Sequence, residues 1–551
     1  MHILHLICTL FLLGSGWLQA QSLTVGTINY TSDVEDGYIL FSPLSANDVY
    51  LVDNCGRRVN EWNNSPYVPG ASVYLLEDGS LLKTARLINP NINIGGIGGR
   101  VERWSWDDSL MWAMNFSGTD YVQHHDIQPL PNGNVLILGL EVINGFTAQS
   151  DGRDPMLIHN NEVWSEFIWE VEPVGPDSGV VVWEWHAWDH LIQDFDMNQD
   201  NFGVVSEHPE LIDLNYVTEE NTSDWLHANA VAYNEELDQI ALSMAHFDEF
   251  WLIDHSTSTQ EAAGHTGGIR GKGGDLLYRW GNPRTYQRGD TTDQKLFFQH
   301  DIHWIPAGMP DAGKMIVFNN GVGRAYSSVE ILDLPQTAPG EYVLNAGQAY
   351  GPASPHWIHT AANPTDLFSK LMSGAQQLPN GNVLICVANN GHFIEVDSNS
   401  TTVWEYINPA TATGTTAQFS VPPGGANSVF RTRRYTPDFP GFVGRNLAPG
   451  LPVEFPFDTQ SCVSQLTNQP EPATTSSFQI FPNPAHSILH LQTSDPKIHT
   501  ISIQNLLGKT VYEGKFSRST TISVENWAAG MYWIRLDQNR PQVIVVDSAK
   551  P

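Results

Sequence analysis

The chain has 551 residues, a net charge of −33, only 16% charged residues, and 46 Gly, 34 Pro and 18 Trp. So acidic a surface repels phosphate backbones and argues against nucleic acid as a partner. Abundant Gly, Pro and Trp with few charges read as an all-β, turn-rich protein rather than a helical one, and the 41% apolar fraction is ample for a large core.

Residues 1–20, MHILHLICTLFLLGSGWLQA, read as an export signal peptide. An apolar run ends in small residues, with Leu18-Gln19-Ala20 as the cleavage site. The run is too short and too poorly flanked to be a transmembrane anchor, and no later stretch is long and apolar enough to span a bilayer. The mature chain keeps Cys55, Cys386 and Cys462, which allows one internal pair and one thiol. Cys386, inside the apolar run NVLICVA, reads as a buried small hydrophobe.

Residues 21–458 carry a repeat. Its first part is an alternating strand, a Gly-centred turn and an apolar strand, as in SVYLLEDGSLLKTA, DIQPLPNGNVLIL and AQQLPNGNVLICV. Asn-Gly and Asp-Gly between apolar runs predict tight hairpins, because both turn positions need positive φ. Its second part is a closing strand with a buried aromatic, as in RVERWSW, VVVWEW, DLLYRW and TTVWEY. Six such units begin near Tyr38, Ala71, His124, Trp225, Phe298 and Met372. Repeats of this length, with about four short strands each, predict a β-propeller, six-bladed by this count, with five or seven blades as the alternatives. The stretch after Asn427, NSVFRTRRY, is expected to supply a strand or strap that closes the ring.

Two insertions interrupt the pattern, one from about Trp188 to Ser223 and one from His255 to Gly274. In the first, Asp194, Asp196, Asn198 and Asp200 alternate like half of a calcium loop, but Gln199 stands where the loop needs Gly, so a solvated loop is expected. Residues 459–477 are polar and rich in Pro, Thr and Ser, a linker. Residues 478–551 alternate over several short runs, enough for a small C-terminal β-sandwich.

His125, His227 and His300 fall on one repeat position, so blade geometry would gather them in one pocket. His124, His246 and His359 are candidates to line it. Asp126 and Asp301 directly follow two of the histidines, and strand alternation points them away from their neighbours. The cluster Arg431, Arg433 and Arg434 reads as a salt-bridging strap.

Two resemblances follow. Phe481-Pro482-Asn483-Pro484, Leu506-Leu507-Gly508-Lys509 and Ala529-Gly530-Met531-Tyr532 make the tail similar to the C-terminal sorting domain of the type IX secretion system of Bacteroidetes. That resemblance implies the type IX machinery as a partner and a protein that is secreted or attached to the outer cell surface. The stretches QHHDIQPLPNGNVLIL, DWLHANAV, FQHDIHW, FNNGVGR, SGAQQLPNGNVLIC and NSVFRTRRY resemble the bacterial arylsulfate sulfotransferase family. This implies a six-bladed propeller that moves a sulfuryl group from a phenolic sulfate ester to a phenol through a transiently sulfated histidine, with no cofactor and no metal. Carried over by motif, His227, His300 and Arg324 match active-site positions, and His125 matches by repeat position. The family also has a histidine late in the propeller. Here that repeat position is Ser373, and His356 and His359 lie nearby without a clean motif match.

The chemistry suits those residue types. A planar, permanently charged Arg fork binds sulfuryl oxygens. A neutral imidazole is a competent nucleophile, and a second imidazole can protonate the departing phenolate. Two other readings of the same residues are a surface-displayed binding propeller without turnover and a metal-dependent enzyme in which three histidines hold zinc or copper.

Overall fold

The structure, a computed structural model, describes residues 22–217, 221–455, 462, 478–482, 484–493, 496–505, 509–536 and 542–546. The expected signal peptide, almost all of the linker, and Asn483 and Leu506-Leu507-Gly508 of the tail motifs lie outside the described residues. The chain divides into two compact units, residues 1–466 and 467–551.

The first unit is all-β and propeller-like. Six antiparallel sheets follow one another along the chain. The second sheet is Pro69–Leu75, Leu81–Arg86, Gly99–Trp104 and Leu110–Asn115. The third is Tyr121–Pro129, Val135–Asn144, Glu162–Val174 and Ser178–His186, and the fourth is Ala228–Asn234, Gln239–Met244, Glu249–Asp254 and Tyr278–Trp280. The fifth is His300–Trp304, Met315–Asn319, Ser328–Leu332 and Trp357–His359. The first and sixth are completed from the ends of the unit. Arg433–Tyr435 pairs with Tyr38–Phe41 as the leading strand of the first sheet, which continues through Val49–Asp53 and Arg58–Trp62. Gly26–Tyr30 adds a fifth strand to Gly374–Gln377, Val383–Val387, His392–Val396 and Thr402–Ile407. One expectation needs correcting: RVERWSW is the third strand of its sheet, and the outer strand is Leu110–Asn115.

Apolar cores lie between consecutive sheets, because each pleated surface is apolar on both faces. Leu51 and Leu81 share one core, Val101 and Ile137 the next, then Leu138 and Leu242, then Leu252 and Val317. Phe318 packs with Ile385, and the sequence of cores closes where Phe393 of the sixth sheet packs with Phe41 of the first. The repeated fourth-strand Trp has a polar task as well. Trp62, Trp112, Trp185, Trp280 and Trp404 each donate the indole N–H to a carbonyl of the following sheet or its loops: Ser105, Ser178, Gly274, Pro352 and Asn54, all at 2.7–2.9 Å. Burying the ring while satisfying its one donor explains why Trp recurs at that place.

The leading strands meet at an ionic hub. Arg431 makes a bidentate contact to Asp126, Nη1 lying 2.7 Å from Oδ2, and reaches Asp301 at 3.3 Å. Arg433 donates to Asp301 Oδ2 at 2.9 Å. The Tyr74 hydroxyl and the Val231 N–H both donate to Asp126, and the Ala375 N–H donates to Asp301. Tyr74, Asp126, Val231, Asp301, Ala375 and the Arg431–Arg433 segment each belong to a different sheet. The two aspartates thus face away from the histidines they follow, as alternation predicts. The buried Asp301 carboxyl is held down at about 2; burial opposes ionisation, but Arg433, His303 and Arg431 outweigh it.

Cys55 and Cys462 form a disulfide, and Cys386 is a buried thiol. In the loop read as solvated, Gln193 donates its side-chain amide to the carbonyls of Asp196 and Asp200.

In the second unit, hydrogen bonding runs continuously through seven strands in the order Phe478–Phe481, Ile488–Thr493, Ser519–Ser523, Thr510–Ser517, Ile498–Asn505, Gly530–Leu536 and Gln542–Val546. Its first three and last four strands are joined through the single pair Ser517↔Ser519. Leu491 and Ile522 on one side and Ile503 and Ile534 on the other share one core.

Candidate active site

The leading strands are irregular where the repeated histidines sit. Pairing slips between Ile137 and Gly139 opposite His124–Asp126, between Ala228 and Ala230, and between His300 and His303. Such bulges re-aim side chains. The backbone is also left-handed there: φ is 50° at His125, 51° at His227 and 84° at Ser373. In the fifth sheet the left-handed residues are Phe298 and Asp301, on either side of His300. A non-glycine residue held so costs about 1–3 kcal/mol, which the surrounding packing must offset.

These distortions bring imidazoles together. The rings of His125 and His227 are 4.9 Å apart, centroid to centroid, at 77°. His246 stacks on His227 at 4.8 Å. The Phe298 ring lies 5.8 Å from each of His227, His246 and His300. Phe430 lies 6.0 Å from His125 and 6.4 Å from His300. Four histidines from three sheets therefore share a site walled by two phenylalanines.

Hydrogen bonds assign the protons. A carboxylate only accepts, so His124 donates from Nε2 to Glu166 Oε2 at 2.8 Å. With His124 neutral, its Nδ1, 2.8 Å from Nδ1 of His125, accepts. His125 is thereby fixed as the Nδ1–H tautomer, with its lone pair on Nε2. Glu166 Oε1 also accepts from the Ala228 N–H, tying this relay to the residue after His227. His227 donates from Nδ1 to Asp224 Oδ2 at 2.6 Å, and His246 Nδ1 lies 3.0 Å from the Asp224 carbonyl. His300 donates from Nδ1 to Asn320 Oδ1 at 2.8 Å, and its Nε2 accepts from the Met372 N–H at 3.1 Å.

Burial and then the neighbouring His227, His124, His300 and His246 push the His125 imidazole well below its ordinary pKa. Burial holds His300 at about 4. Both are neutral bases at neutral pH. The Asp224 carboxyl lies below its ordinary range; burial opposes this, but His227 prevails.

A match of the arylsulfotransferase (ASST) family model covers residues 46–421. The chain belongs to the arylsulfotransferase family. Residues 479–546 of this arylsulfotransferase-family protein match the secretion-system C-terminal sorting domain, which indicates export to the cell surface or the medium. No helix among the described residues is long and apolar enough to cross a membrane. No curated protein matches the chain. Solved structures similar to it include a protein of unknown function from Bacteroides caccae (10% identity, TM-score 0.38, covering 73% of this chain and 99% of that one). Another is the periplasmic gluconolactonase of Pseudomonas aeruginosa (10% identity, TM-score 0.35, covering 73% and 99%). At these scores neither likeness assigns an activity.

Of the candidates named from sequence, His124, His125, His227, His246 and His300 come together. The Arg324 guanidinium lies 4.9 Å from the ring of Phe297 and 4.7 Å from that of Tyr326, with Nη2 donating to Ser328, and these contacts do not include the histidines. His359 lies elsewhere, on the outermost strand of the fifth sheet, paired with Val329 and stacked on Trp357. His356 is near Asp311 and Lys314. Sequence reasoning missed Glu166, Asp224, Asn320, Phe298 and Phe430, which orient or wall the histidines. It also missed Gly95 and Gly96. A Cβ on Gly96 would come within 2.4 Å of the His125 ring, and one on Gly95 would stand 3.8 Å from His227. The run GGIGG was the available signal, since a backbone that approaches a side chain this closely needs glycine.

Proposed function

We propose that this protein moves a sulfuryl group from a phenolic sulfate ester to a phenolic acceptor through a histidine intermediate. The convergence of His125, His227 and His300 carries the reading. In the first step the His125 Nε2 lone pair attacks sulfur, the S–O(aryl) bond breaks, and His227, oriented by Asp224, protonates the departing phenolate. In the second, an acceptor phenol gives its proton to His227 and its oxygen attacks sulfur, which breaks the N–S bond. His125 is favoured over His300 as nucleophile because the Met372 N–H already occupies the His300 lone pair. Arg324 supplies the fixed charge for the sulfuryl oxygens. The six sheets, their closing sequence of cores and the shared ionic hub support a six-bladed propeller as the scaffold. A cleaved signal over 1–20, a linker over 459–477 and a sandwich-type sorting domain over 478–551 complete the reading.

The test is incubation of the full chain with a chromogenic aryl sulfate. Acceptor-dependent phenolate release, lost in His125→Asn and His227→Asn, supports the transferase. No release with a range of donors leaves a binding protein instead.

One observation favours a second reading. Asp224, His227 and His246 offer ligand atoms within 4.8 Å of one another, enough to hold a metal ion. Turnover that disappears with a chelator and returns with metal would select that reading.

A further inference from the structure

A second histidine cluster lies in the two insertions, apart from the residues of the candidate active site. His190 comes from the first insertion, His265 from the second, and Asp275 from the residues just after it. Both imidazole Nδ1 atoms lie 2.8 Å from one oxygen, Oδ1 of Asp275. The three ligand atoms lie within 4.8 Å of one another. His190 is fully buried and Asp275 nearly so, while the His265 side chain is 59% exposed.

The other nitrogen of His190 decides what the cluster suits. Nε2 lies 2.9 Å from the Ala262 carbonyl, which can only accept, so Nε2 carries a proton. A neutral His190 then directs the lone pair of Nδ1 at a carboxylate oxygen that also carries lone pairs. Either a proton or a cation must stand between them, and a cation can be shared by all three ligand atoms. The arrangement of an imidazole that donates one N–H to a backbone carbonyl and turns its other nitrogen to a site shared with a carboxylate is that of a metal-ligating histidine with its supporting hydrogen bond. Trp185 stacks parallel to the His190 ring at 5.6 Å and fixes its plane. Gly274 permits the approach: a Cβ there would come within 2.0 Å of the Ala262 carbonyl and 2.6 Å of His190 Nε2.

We propose that His190 Nδ1, His265 Nδ1 and Asp275 Oδ1 bind a divalent transition-metal ion of the zinc type. Two nitrogens and one carboxylate oxygen suit such an ion, and a fourth position remains for water on the exposed side of His265. The ion would tie the two insertions together. Its role is independent of sulfuryl transfer.

The test uses the full chain, stripped with chelator and titrated with Zn²⁺ by calorimetry and elemental analysis. One Zn²⁺ per chain and a raised melting temperature are expected. His265→Ala changes an exposed side chain and so preserves the fold; it should weaken binding at least about tenfold, remove the Zn²⁺-dependent rise in melting temperature, and leave aryl sulfate turnover unchanged. Asp275→Asn should act likewise on binding. No Zn²⁺ binding by the wild type, or binding unchanged in both variants, overturns the proposal and leaves a His190–Asp275–His265 clasp held by a proton. Binding lost in His246→Asn but kept in His265→Ala would move the ion to Asp224, His227 and His246, and overturn it equally.

Discussion

Nδ1 of His124 lies 2.8 Å from Nδ1 of His125, so the proton of one imidazole is set by the partner of the other. Glu166 holds the Nε2 proton of His124, and the consequence two rings away is a basic Nε2 on His125.

Glu166→Gln should therefore lower turnover without removing any residue that meets the substrate. The neutral amide can present its N–H to His124, reverse the relay, and place the His125 proton on Nε2. Loss of a positioned proton-transfer system costs about 10²–10⁴ in rate. We expect a fall in kcat with little change in KM, and no sulfated histidine by mass spectrometry when acceptor is withheld. Unchanged kcat would remove the relay from the mechanism.

Asp126→Asn addresses the hub. Removing one partner of a buried ion pair leaves the other charge uncompensated, at a cost of about 3–5 kcal/mol. Arg431 and Asp126 are both almost fully buried. Equilibrium denaturation should show that loss. The substitution Glu77→Gln, which changes an exposed carboxylate, should fall within about 0.5 kcal/mol of wild type.

Stability should depend on pH through His300. Its folded pKa of about 4 lies below the ordinary imidazole value of 6.5. The unfolded chain therefore binds the proton more readily, and the stabilisation from a neutral His300 is complete above pH 6.5 and lost as pH falls towards 4. His125 is shifted in the same direction. Melting temperature should decline across that window, and less steeply in His300→Gln. An equal slope in both proteins would refute the assignment.

Gly96→Ala tests the close approach to His125. At φ +71°, with 2.4 Å between the new methyl carbon and the imidazole, the loop must withdraw. We expect a loss of more than about 1 kcal/mol in stability together with loss of turnover. Gly133→Ala shares the positive φ but meets nothing within 4 Å, so it should lose stability alone.

Hairpins and repeat units were legible because Asn-Gly and Asp-Gly turns and apolar alternation are local signals. The shared position of His125, His227 and His300 was legible for the same reason. RVERWSW was misplaced by one strand because Trp104 and Trp112 both lie on strand-like runs that pair side by side, and only register separates them. His359 resembles a pocket histidine in sequence, but its strand pairs at the outer edge of the fifth sheet. Asp224, Glu166 and Asn320 could not be singled out. Each acts through a contact with a histidine three to forty-two residues away, and nothing in its own neighbourhood marks that task. The slipped pairing and left-handed backbone at the histidines were equally hidden, since both result from packing between sheets.

The pairing of Gly26–Tyr30 with Thr402–Ile407, and of Arg433–Tyr435 with Tyr38–Phe41, sets an order of assembly. Neither terminal sheet can be finished from nearby residues, so the sixth waits for Gly26–Tyr30 to meet Thr402–Ile407 and the first lacks its leading strand until Tyr435 has been made. The hub makes the same demand, because its central Arg431 lies more than three hundred residues along the chain from Asp126.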